Sequence, residues 1–232
     1  MYIIVIIIIV KTFISDNWFY SPPANVHGVG ITSLSSFYPD SSYQDAFDKA
    51  VEDLNSNTMA LVTHETFLLG DGTYRSFDEF AIDDRYDIND VTPVDSMVMN
   101  GWVYYKVTKE GAYKHPASGN LKQIKNPGKL TSATQYGDYW YATGSATLSE
   151  INPYRSWAEA KKNALKIISS NYSTLVQNLT KRNGLFDAGS IRYTRSRVMM
   201  NNVIIVNRKV RDQQAYCTVA IHKNDIIRLS NF

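Results

Sequence analysis

One helix pattern occurs twice in this chain, 114 residues apart. Apolar or small residues fall at Tyr43, Ala46, Phe47, Ala50, Val51, Leu54, Leu61 and Val62. They fall again at Trp157, Ala160, Ala164, Leu165, Ile168, Leu175 and Val176. The shared spacings, i, i+3, i+7, i+8, i+11, i+18 and i+19, trace one face of an α-helix. The shift needs no gap. It also sets Asn57 on Asn171, a polar match that amphipathicity does not require. A chain of this kind must bury two similar helix faces.

The flanks repeat in the same order. Ser41 and Ser42 precede the first helix, and Ser156, with Glu159 three residues on, opens the second. Such residues suit N-caps and the helix dipole. "KRNG", with Asn183-Gly184 as the left-handed stop, is the predicted end of the second helix. A strand precedes each helix, at His27 to Ser33 and at Tyr139 to Leu148. Gly28, Gly30 and Gly144 lie there, where small residues permit close helix-on-sheet packing. "GVG" lacks the spacing of a phosphate loop. A hairpin follows each helix. The first spans residues 94 to 107 around Asn100-Gly101, a strong type I′ turn signal. The second spans 203 to 221 and turns near Arg211 to Gln214. A shift of 112 relates the two and sets Tyr104 on Tyr216. Residues 115 to 138 hold Pro, Gly, Ser and Lys and read as a linker, with the boundary near residue 120. The predicted fold is α+β: two tandem β-α-β-β units, residues 16–120 and 121–232, each a long helix packed on an antiparallel sheet. Doubling imitates a homodimer in one chain and covers sheet edges that one unit would expose.

"DNWFYSPPANVHGVG", residues 16 to 30, sets an aromatic and a Pro-Pro before a G-x-G strand, an alanine-bearing helix and a hairpin with a late tyrosine. That order resembles the twenty-kilodalton bacterial envelope lipoprotein family and the N-terminal domain of flagellar assembly protein T. The second half, from Trp140 to Ile221, is the better match. The resemblance implies dodecin-like α+β units, residence in the periplasm or at the outer membrane, and no catalytic role. Those lipoproteins are acylated on a cysteine just after the signal peptide. Here the only cysteine is Cys217, so the lipid anchor does not carry over.

Residues 1–15 begin "MYIIVIIIIVKTFI". The unbroken apolar run is shorter than the ~20 residues of a spanning helix but suits a signal-peptide core. A basic leader before it and a small-x-small site after it are missing. The segment is read as signal-like or membrane-proximal, and the chain as exported. Membrane attachment then falls to this segment or to a partner.

Chemistry is sparse. A net charge of +2 with mixed signs argues against nucleic acid as a partner. One cysteine excludes an intrachain disulfide, and "QAYCTVAI" reads as core around it. His27, His64, His115 and His222 show no paired spacing for a metal, with His64 placed near a helix end. The stretch holding Asp78, Glu79, Asp83, Asp84, Asp87 and Asp90 lacks the EF-hand order and reads as a solvated loop. Asn171 and Asn178 match a glycosylation pattern, yet both fall on the predicted second helix. Neither a nucleophile elbow, a catalytic Cys-His pair nor a Walker loop is present, and no cofactor is expected. The candidate ligand-binding residues are aromatic: Trp102, Tyr104, Tyr105, Trp140 and Tyr141. Trp102 and Tyr104 share one strand face and Tyr105 the other. A row of them left exposed would form a binding surface; packing between the halves is the competing reading. The leading expectation is a non-catalytic envelope protein that binds envelope proteins or itself. The alternative is a small-ligand module with its site between the repeats.

Overall fold

The strand-to-helix step comes first. β1 (Gly28–Ser33) leads into α1 (Pro39–Thr58), and β7 (Tyr139–Thr147) leads into α2 (Pro153–Ser170). In this computed structural model, which describes residues 18–22, 26–69, 72–82, 85–109, 132–171, 174–179, 182–183, 186–187 and 191–229, both steps are built alike. A Cβ on Gly30 would lie 1.7 Å from the Ala46 carbonyl oxygen, and one on Gly144 would lie 2.1 Å from that of Ala160. Only glycine lets the helix backbone rest on the strand. Ala46, Ala50, Ala160 and Ala164 accordingly have no exposed surface.

The helix starts differ from expectation. Both helices begin earlier, with proline in the first turn, where its missing N–H costs nothing. The Asn152 side chain caps α2 by accepting from the Arg155 amide at 3.2 Å, whereas α1 has no side-chain cap. The serines read as caps do another job. Ser42 Oγ accepts from the Ser35 amide at 2.9 Å, and Ser156 Oγ from the Ser149 amide at 2.8 Å. They fasten the strand-to-helix loop to the helix.

The helix ends also need correction. α1 gives way directly to β2 (Met59–Leu68), and α2 is followed by β8 (Thr174–Leu179). Leu61, Val62, Leu175 and Val176 therefore belong to strands, and the predicted stop at Asn183-Gly184 is not a helix end. Neighbouring apolar residues fit either period, so the pattern alone extended the helix too far. Tertiary bonds set the end of α1: the Asn57 and Thr58 carbonyls accept the Val203 and Asn202 amides at 2.7 and 3.1 Å.

Further strands are β3 (Tyr74–Ile82), β4 (Thr92–Met99), β5 (Trp102–Thr108) and β6 (Thr134–Tyr136). In the second half, β9 (Arg182–Asn183), β10 (Phe186–Asp187), β11 (Ile191–Asn201), β12 (Ile204–Arg211) and β13 (Gln214–His222) follow β8. A 3₁₀ turn at Lys223–Asp225 leads to β14 (Ile226–Arg228). The protein is α+β; among the described residues there are two α-helices and three antiparallel sheets beside the short β9–β10 pair. The three-stranded sheet runs β1-β5-β4 and the four-stranded one β12-β13-β7-β6. The five-stranded sheet runs β14-β11-β2-β3, with β8 also on β11.

The predicted hairpins are present. Asn100 and Gly101 turn β4 into β5 with φ of 53° and 77°, and Asp212 and Gln213 turn β12 into β13 with φ of 49° and 57°. The β-α-β-β order needs an addition, because strands intervene between helix and hairpin: β2 and β3 in one half, β8 to β11 in the other. Asp78 and Glu79 consequently sit on β3, not in a loop. His64 lies on β2, not near a helix end, and Asn178 on β8, not on the helix. Residues 1–15, the boundary near 120, His115, Asp83 and Asp84 lie outside the described residues. The largest core cluster joins Ala160, Ala164, Leu165 and Ile168 of α2 to Ala60 and Val62 of β2, so the halves share a core.

Candidate functional site

The candidate aromatic residues all lie on strands, β5 and β7. Tyr104 is buried, packing its ring 5.0 Å from Phe19 in a cluster that includes Trp157 of α2; Trp102 lies at the margin of that cluster. Tyr105 points to the other face, 5.3 Å from the Phe47 ring of α1. Trp140 leans on the α2 core, and Tyr141 is buried with Tyr139, Ile204 and Ala220. The five residues are thus spread over four clusters. Only Trp102 and Tyr104 are brought together, and Tyr104 packs between the halves.

The most highly charged interior lies where the helices meet. Lys161 of α2 donates to the Asp53 carboxylate, to Ser56 Oγ and to Asn57 Oδ1, the last at 3.0 Å. These three contacts use all three ammonium donors. The other Asp53 oxygen accepts the Val29 amide at 2.9 Å, and the Arg208 guanidinium lies 3.7 Å from it. Arg208 also donates to the Phe19 carbonyl at 3.1 Å and stacks on the Phe19 ring. Burial alone would raise the Asp53 carboxyl, but Lys161 and Arg208 outweigh it and hold it below the usual carboxylate range. Nearby, burial pushes the Cys217 thiol up to about 11, which keeps it protonated and unreactive. Asp53, Lys161 and Arg208 are each no more than 6% exposed. The cluster is buried and its charges are paired with one another, so its role is to join β1, α1, α2 and β12.

A second polar group lies at the surface of the same junction. His64 Nδ1 and Lys166 Nζ each stand 2.5 Å from a carboxylate oxygen of Asp78. Burial tends to raise the Asp78 carboxyl, but these two partners prevail and lower it. His64 and Lys166, with Thr143, Ser145, Asn163 and Ser170, line a wide, shallow groove of about 440 Å³ between the halves. The candidate aromatics do not line it.

The remaining feature is the margin of the five-stranded sheet. β3 pairs with β2 along its whole length, from Ala60–Ile82 to Leu68–Tyr74. Its other edge has no strand neighbour among the described residues. Tyr74 and Phe77 are 62% and 59% exposed, and alternation puts them on opposite faces. An unpaired strand edge with exposed aromatics is a template for pairing with another chain. Sequence reading missed this hairpin. Its signal is Asp71-Gly72 between alternating runs, with Gly72 at φ 82°, but the acids nearby made the stretch look like a loop. Comparison of the chain with known protein families, with curated proteins and with solved structures gives no match.

Proposed function

We propose that this chain is a non-catalytic protein of the bacterial cell envelope, periplasmic or associated with the outer membrane, acting in structure or protein–protein interaction. In this reading it is a tandem of two dodecin-like units, and the β3 margin is its docking surface. The observation that carries the proposal is the β3 edge, which has no strand neighbour among the described residues, with Tyr74 and Phe77 exposed on its two faces. The burial of the Asp53–Lys161–Arg208 cluster supports it, because its charges are paired with one another inside the fold. The apolar run of residues 1–15 and the family resemblance support export. The duplication is supported by hydrogen bonds that recur at the same shift: Ser35 to Ser42, and Ser149 to Ser156.

The test is a photoreactive residue in place of Phe77 in the full chain, expressed in a bacterium and followed through fractionation. A discrete protein adduct in the envelope fraction is expected, and none from a probe at Asp48 on the exposed side of α1. A chain confined to the cytosol without an adduct at Phe77 overturns the proposal. The groove beside His64 favours a second reading, a small polar ligand bound between the halves. Thermal stabilisation by such a ligand, lost in Asn163→Ala, is its expected mark.

A further inference from the structure

The β3 margin, if it is a docking surface as proposed, has an identifiable occupant. Strand order in the five-stranded sheet is β3, β2, β11, β8, all antiparallel. Two hairpins make it, and they share a register from Ile191 to Tyr193, after which β11 bulges before Arg195. His64 faces Asp78 and Thr63 faces Glu79; 114 residues on, Asn178 faces Arg192 and Gln177 faces Tyr193. So β8 takes the place of β2, and β11 the place of β3. The halves then meet through two different edges, the β2 edge of one hairpin and the β3-like edge of the other. A two-fold contact would pair an edge with its own copy; a contact between unlike edges is heterologous and leads to an open array or a ring rather than to a dimer paired edge to like edge.

Such a contact leaves its two complements unused at the ends of the sheet: the outer edges of β3 and β8. Among the described residues neither has a strand neighbour. β14 lies in line with β8 along β11, pairing Val198 to Met200, and not beside it. We propose that a second copy of this chain lays its β8 edge along β3, repeating the β2–β11 contact, so that copies add head to tail. The register follows. Glu65 faces Arg195 within the chain; the counterparts of that pair are Leu179 and Ala81. Leu179 of one copy therefore faces Ala81 of the next.

The test uses two full-length variants that each add one cysteine, Ala81→Cys and Leu179→Cys, mixed and treated with a short bismaleimide. Cys217 is 1% exposed and stays silent. The mixture is expected to give several-fold more cross-linked dimer than either variant alone, and the double variant a ladder of dimers, trimers and higher species. Without cross-linker, the sedimentation mass of the unaltered chain should keep rising with concentration past twice 26.3 kDa. Dimers from Ala81→Cys alone, with a mass plateau at two chains, mean a two-fold β3 contact and overturn the proposal. Equal cross-linking in every combination means unspecific association and also overturns it. A strictly monomeric chain overturns it too. If the Phe77 probe still captures a different protein in the envelope, the docking surface stands and only this occupant falls.

Discussion

Asn57 and Asn171 occupy the same place in the repeated helix pattern, yet their surroundings are opposite. Asn57 is fully buried, donating to the His27 carbonyl at 2.7 Å and accepting from Lys161. Asn171 is an exposed residue at the end of α2, its amide bonded back to Ile168. The position of Asp53 holds Ile167 in the second helix, and the position of Lys161 holds Phe47 in the first. A repeat preserves the apolar stripe and lets the polar residues beside it diverge. The halves do not meet symmetrically, so one α1 end is enclosed by the other half and its counterpart is not.

Breaking the enclosed end should have the largest effect. Lys161→Met leaves the Asp53 carboxylate buried beside a more distant Arg208, and a loss of about 3–5 kcal/mol is expected in urea unfolding. Phe47→Ala, at the matching position of α1, should cost less, because Phe47 is only half-buried. An equal loss at both sites would refute the asymmetry. Asn57→Ala strands the donors and acceptors around it and should cost about 1–3 kcal/mol. Asn171→Ala should stay within about 0.5 kcal/mol.

The glycine contacts should behave alike in both halves. Gly30→Ala and Gly144→Ala both drive a methyl into a helix carbonyl, and each should cost at least about 1–3 kcal/mol. A tolerated change at one of them would show that its helix can lift from its strand.

Acid should loosen the enclosed end. The folded Asp53 carboxyl lies below its ordinary value, so its stabilisation is complete above the unfolded value of about 3.9. It is lost as pH falls below that and through the folded value. Asp53→Asn should flatten the stability profile between pH 4 and more acidic conditions, as followed by urea midpoints. An unchanged slope would count against an ionised Asp53.

A modest effect is expected at the turns. Gln213 adopts φ 57° where Gly101 adopts 77°. Gln213→Gly should stabilise by up to about 1 kcal/mol, and Gly101→Gln should destabilise by a similar amount. Melting temperatures of the two variants would show whether the hairpins are equivalent in strain.

Sequence by itself determined what depends on neighbours along the chain. The 3.6-residue stripe of Ala46, Ala50, Ala160 and Ala164, the strand glycines opposite them and the turn at Asn100-Gly101 are local signals, and the α+β class follows from them. Where each helix stops was not legible, because apolar pairs such as Leu61-Val62 satisfy both periods, and the turn signal of the β2–β3 hairpin at Asp71-Gly72 was obscured by the acids around it. Tertiary structure alone decided the pairing of β2 with β11, the burial of Asp53 against Lys161 from 108 residues away, and the β3 edge left without a strand neighbour among the described residues. Those outcomes depend on which surfaces meet after local structure has formed, and a buried charge or an unpaired edge carries no periodicity by which a sequence could announce it.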